Sequence, residues 1–209
     1  MGMIEKLATS LGRRDEVPNV ELAKQIVTAN DQSGVGQLVK LLHHKDKAIQ
    51  SDSIKVLYEI GAIQPSLIQP HLKTFVSLLR SKNNRMVWGS MAAIDAISKV
   101  DPRGVHVHLS EIMDAADKGS VITKDGAVNI IIRLSSEDEF SAQTIPLLKE
   151  YLSHAAINQL PMYAERATYV MSNNSPAKFA GILFDRMAEE MKDSKRKRIQ
   201  KVLIKLKEA

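Results

Sequence analysis

Leu38-Val39-Lys40-Leu41-Leu42 and Phe75-Val76-Ser77-Leu78-Leu79 decide how this chain is read. They lie 37 residues apart, and the same offset carries Asp46 onto Asn83, Ile49 onto Met86, Ser53 onto Ser90, Leu57 onto Ile94 and Ile60 onto Ile97. Another 37 residues reaches Ser120, Thr123, Ala127, Ile131 and Leu134. A step of 36 then reaches Ala156, Gln159, Tyr163, Ala167 and Val170. The last two columns are apolar in all four units. A register that repeats at such a period marks one supersecondary unit built several times over.

Each unit reads as two helices. In the second, Leu72, Phe75, Val76, Leu78 and Leu79 share one helical face. Ser81-Lys82-Asn83-Asn84 is a polar turn in which an asparagine can cap the next helix. Met86, Val87, Ser90, Met91, Ile94 and Ile97 form the second stripe, and Asp101-Pro102 is expected to end it. One helix pair cannot bury its apolar face alone, but stacked pairs can. The expectation is an all-α solenoid of about twelve helices, one domain over 1–209. Lead-in helices fall at 4–11 and 18–30 within 1–33, four clear pairs occupy 34–172, and a basic capping pair occupies 173–209.

The units resemble HEAT and armadillo-like repeats. A HEAT second helix opens on Asp and continues with Val, Arg, a small residue, Leu and Ile. Asp46, Ile49, Ser53, Leu57 and Ile60 fit that pattern, and Asn83, Met86, Ser90, Ile94 and Ile97 fit it with Asn for Asp. The family's arginine is absent, its positions holding Gln50, Val87, Lys124 and Leu160, and Tyr163 stands where a small residue is usual. The resemblance implies a right-handed α-α superhelix whose second helices line a concave recognition surface.

Composition agrees with a helical core. Of 209 residues, 44% are apolar but only 4% aromatic, so aliphatic side chains must fill the interior. Cysteine is absent, which excludes disulfides, thiolate metal sites and a cysteine nucleophile, and fits a reducing compartment. No apolar run is long enough to span a membrane. The cytoplasm is therefore the expected location. The net charge of +5 belongs to one segment. Residues 192–209 hold eight basic and two acidic side chains, whereas residues 1–191 hold 21 basic and 22 acidic. The body lacks the basic excess of a nucleic-acid-binding surface.

Trp88 is the sole tryptophan, and its equivalents are Ser51, Asp125 and Pro161. Core columns stay apolar across repeats; this one does not. Trp88 is thus expected on or near the recognition face, with Arg85 one turn earlier, although packing between adjacent units would also explain it. Neighbouring columns add Asp52; Lys55, Asn129 and Glu165; and Glu59, Arg133 and Tyr169. Their mixed charge suits a protein or peptide partner. The run Lys192, Lys195, Arg196, Lys197, Arg198 and Lys201 suits a polyanion or an acidic surface. It also suits a capping helix whose Ile199, Val202, Leu203 and Leu206 face inward.

No catalytic motif, metal-ligand spacing or phosphate loop is present, and no cofactor is expected. Three readings follow. The first is a non-enzymatic scaffold binding a protein through its second helices. The second is a nucleic-acid-binding protein using the basic C-terminal helix. The third is a HEAT-like DNA-repair glycosylase using Trp88, Asp95, Asp125 and Arg133, which the near-neutral body disfavours. The first is preferred.

Overall fold

The computed structural model describes residues 2–208. Twelve α-helices follow in chain order: α1 (Val17–Thr28), α2 (Gln32–Leu41), α3 (Lys47–Ile63), α4 (Leu72–Leu78), α5 (Asn84–Ile97), α6 (Pro102–Val107), α7 (Leu109–Lys118), α8 (Val121–Ser135), α9 (Asp138–His154), α10 (Leu160–Asn173), α11 (Pro176–Arg186) and α12 (Asp193–Lys207). Short 3-10 turns lie at Ile4–Lys6, Pro65–Leu67 and Gln69–His71, and no strand occurs among the described residues.

Local chemistry sets the helix starts. Asp31, Asp46, Asn83 and Asp101 each accept a backbone N–H of the following turn, from Gly34, Ala48, Arg85 and Gly104 at 2.8–3.0 Å. Pro18, Pro102 and Pro176 occupy first turns, where their missing N–H leaves no gap. The repeat columns are the core. Leu57, Ile94, Ile131 and Ala167 are fully buried, as are Ile60, Ile97 and Leu134, with Val170 nearly so. Burying each large aliphatic side chain contributes about 1.5–3 kcal/mol relative to leaving it in water.

Two boundaries differ from the sequence reading. Residues 4–11 form one 3-10 turn and further turns rather than a helix. Side chains from elsewhere take the donors that a helical ladder would use: Asn19 Oδ1 accepts the Ala8 N–H at 3.0 Å and Asp52 Oδ2 the Thr9 N–H at 2.7 Å. Gly12, at φ +67°, turns the chain away in a left-handed conformation that glycine adopts readily. The second difference is at Asp101-Pro102, which opens α6 instead of closing α5. The helix α5 already ends at Ile97, where the Ser98 hydroxyl turns back to the Asp95 carbonyl.

Two compact units are distinguished, the first running to Ala127 and the second from Val128, so that the division falls within α8. In the first unit α1 packs on α3 and α3 on α5, with α2 against α3 and α4 against α5. In the second, α10 and α11 both pack on α12, and α9 packs on α11.

Candidate functional site

On α3, Asp52, Lys55 and Glu59 are three and four residues apart and share one face; on α5, Arg85 and Trp88 do the same. The packing of α3 on α5 brings the two sets together. The Arg85 guanidinium lies 4.4 Å from the centroid of the Trp88 ring. Trp88 is tilted by 46° against Tyr58, with ring centroids 5.5 Å apart. Lys55 Nζ lies 4.9 Å from the Tyr58 centroid and donates to Glu59 Oε1 at 2.7 Å. A residue from outside both helices completes the cluster. Glu16, just ahead of α1, sets one carboxylate oxygen 3.0 Å from Lys55 Nζ and accepts a hydrogen bond from Arg85 with the other.

Exposure and charge sort these groups. The Lys55 side chain is 11% exposed, against 48% for Glu16, so the cation is the fixed member and the carboxylate the accessible one. Burial lowers the affinity of the Lys55 ammonium for its proton, but hydrogen bonds to Glu59 and Glu16 outweigh that and hold it above the usual lysine range. Partial burial pushes the Glu16 carboxyl up; Lys55 and Arg85 outweigh it and hold the group below the usual range. Trp88 is half-buried, so it both packs between α3 and α5 and keeps part of its ring in water. Asp52 shares the α3 face but has other partners: it accepts the Thr9 N–H at 2.7 Å and Asn19 Nδ2–H at 2.8 Å.

The second unit gathers a smaller set. Asn129, Arg133 and Tyr169 line one depression of about 280 Å³, together with Ile132, Arg166 and Val170. Arg166 donates to Asn129 Oδ1 at 2.8 Å, and Tyr169 is 71% exposed. Glu165 is not part of this group. It accepts two hydrogen bonds from Arg198 of α12, at 2.7 and 2.5 Å, and that guanidinium holds its carboxyl low.

Half of the basic C-terminal run is engaged within the chain. Lys195 donates to Asn158, Arg196 to the Met187 carbonyl and Arg198 to Glu165. Lys192, Lys197 and Lys201 are exposed. Of the four apolar residues read as one inward stripe, Ile199, Val202 and Leu206 are buried, but Leu203 is only half-buried. It borders an apolar depression with Ile204, Phe184 and Met187, of which Phe184 and Ile204 are 72% and 56% exposed.

Sequence columns missed Glu16 and Tyr58. Glu16 lies outside the repeat register, and only the packing of α1 on α3 brings it near. Tyr58 is legible in retrospect as the aromatic residue three positions after Lys55. Arg186 was also missed. It donates to the carbonyls of Leu152, Ser153 and Ala155 at 2.7–2.9 Å and so caps the C-terminal end of α9. Among the described residues no group of three or more His, Asp or Glu side chains converges as metal ligands would, and no helix is long and apolar enough to cross a membrane.

No protein-family model and no curated protein sequence matches this chain. Solved structures do. A computationally designed armadillo repeat protein for modular peptide recognition is 16% identical over 97% of this chain and 98% of its own, with a TM-score of 0.70. A second designed armadillo repeat protein, solved in complex with the peptide (KR)4, is 18% identical over 89% and 86%, with a TM-score of 0.67. The archaeal HEAT-like repeats protein of Thermococcus onnurineus NA1 is 12% identical over 93% and 97%, with a TM-score of 0.51. At these identities the likeness is one of fold, and the fold is an all-helical armadillo/HEAT-like solenoid.

Proposed function

We propose that this chain is a non-enzymatic repeat scaffold that binds an extended segment of another protein along its second helices. The observation that carries this reading is the cluster on α3 and α5, where Lys55, Tyr58, Arg85 and Trp88 stack with part of the tryptophan ring in water. Tryptophan, tyrosine and arginine are the residues most enriched among interface hot spots. Here they sit on helices that hold them rigidly, which lowers the entropy lost on binding. The structural likeness to a designed armadillo protein solved with a peptide supports the same reading at the level of fold. Asn129, Arg133 and Tyr169 are the contact set proposed for the second unit by itself. The lack of cysteine fits a reducing compartment, and the cytoplasm is the location this reading takes.

The alternative is a nucleic-acid contact through α12, favoured by the exposed Lys192, Lys197 and Lys201. One experiment separates the two. The tagged full-length chain is used to capture partners from its native cells, with and without nuclease, and the eluate is analysed by mass spectrometry. The scaffold reading expects a stoichiometric protein that survives nuclease and is lost on Trp88→Ala. Co-purifying proteins that vanish with nuclease would transfer the function to α12.

A further inference from the structure

We infer that the Lys55–Arg85 pair, flanked by the rings of Tyr58 and Trp88, is a seat for an acidic side chain of the partner peptide, and that the chain's own Glu16 fills it when no partner is bound. The inference rests on the scaffold reading above and gives the partner a charge.

Three observations carry it. First, among the described residues Glu16 is the one carboxylate paired with both cations, and they come from different helices. Each cation has a second contact within its own helix. Lys55 keeps its i,i+4 pair with Glu59, and Arg85 keeps its stack on Trp88. Withdrawing Glu16 therefore leaves a formed seat with fewer negative charges against it. Second, Glu16 is the accessible member, with a half-exposed side chain at the end of the exposed stretch 9–16. An open depression of about 650 Å³ lies alongside, between that stretch and α3 and α5, bordered by Thr9, Arg13, Asp52 and Arg85. An incoming peptide has room to approach there. Third, the chemistry is selective. An arginine and a lysine offer charge-assisted donors to a carboxylate, and the rings beside them offer apolar surface to the adjoining residue. The fitting ligand is a peptide with Asp or Glu next to an aromatic or aliphatic residue. A peptide of lysine and arginine has no group to replace the Glu16 carboxylate between Lys55 and Arg85.

The test uses the full chain and its single tryptophan as reporter, because Trp88 contacts Arg85 directly. Two synthetic peptides are titrated: one alternating Glu with Leu, the other alternating Lys with Arg. The acidic peptide is expected to change Trp88 emission saturably. Glu16→Gln removes the internal competitor and should tighten binding about fivefold. Arg85→Gln should weaken binding about tenfold or more, with far-UV circular dichroism unchanged. Tightening by Glu16→Gln also guards against misreading Arg85→Gln as a folding defect. Binding of the basic peptide alone would overturn the seat while leaving the scaffold reading intact. Acidic-peptide binding indifferent to both substitutions would also overturn it, placing the contact elsewhere. If neither peptide binds, the seat falls, and capture from cells decides the scaffold reading separately.

Discussion

Lys55 sits 11% exposed between two carboxylates, and its removal is the most informative single substitution in the first unit. Lys55→Met should cost about 1–3 kcal/mol in urea unfolding, because it leaves Glu16 and Glu59 without their shared donor. The carboxylates give a pH dependence with a definite sign. Glu16 and Glu165 are both held below the usual range, so the unfolded chain binds their protons more readily than the folded one. Their contribution is complete above the unfolded glutamate value of about 4.3 and is lost as pH falls through the lower folded values. Acid unfolding should therefore steepen below about pH 4.3, and Glu16→Gln should flatten part of that limb, as followed by circular dichroism against pH. At this scale the sequence was half legible. Trp88 stood out because its column broke the apolar pattern, and Arg85 as the residue one turn earlier; the structure stacks the two. Asp52 fell on the same helical face as Lys55, but a column cannot show that Thr9 and Asn19 engage it. Glu16 had no column at all.

Helices in this chain are set by caps and by how closely neighbours approach, and the glycines separate the two effects. A Cβ on Gly89 of α5 would lie 2.6 Å from Cγ1 of the fully buried Ile54 on α3. Gly89→Ala should therefore destabilise the α3–α5 contact by about 1–3 kcal/mol. Gly36 in α2 and Gly181 in α11 have nothing within 4 Å of that position. Alanine there should stabilise the protein by about 0.4–1 kcal/mol each, by restricting the unfolded chain. A melt series on the three variants checks both signs. Arg186→Met should expose the opposite dependence. Losing three hydrogen bonds to carbonyls at the end of α9 should cost about 1–3 kcal/mol, with the protection lost from amide exchange concentrated in α9 and α11. An asparagine cap ahead of α5 was readable because an acceptor followed by an apolar stripe has one local meaning, and the structure assigns it to Asn83. The turn at residues 4–11 was not, because tertiary acceptors decided it.

Across the whole chain, periodicity fixed the architecture far more firmly than the function. Four units kept the same two buried columns although the signature arginine had gone, since burial tolerates many aliphatic side chains whereas recognition depends on a few particular ones. Charge is also unevenly spread, with the excess in residues 192–209 and a near-neutral remainder. If α12 only closes the stack and does not bind a polyanion, duplex DNA should show no saturable binding to the chain at low salt, whereas an affinity that falls steeply between low and physiological salt would mark α12 as a polyanion site. The central claim is peptide binding along the second helices, and selection from a random-sequence peptide library on the full chain tests it most directly. The account predicts peptides that bind one per chain, perturb Trp88 emission saturably and lose about tenfold or more in calorimetric affinity on Trp88→Ala. Selected peptides whose affinity is unchanged by Trp88→Ala, or a library that yields no binder above background, would contradict it.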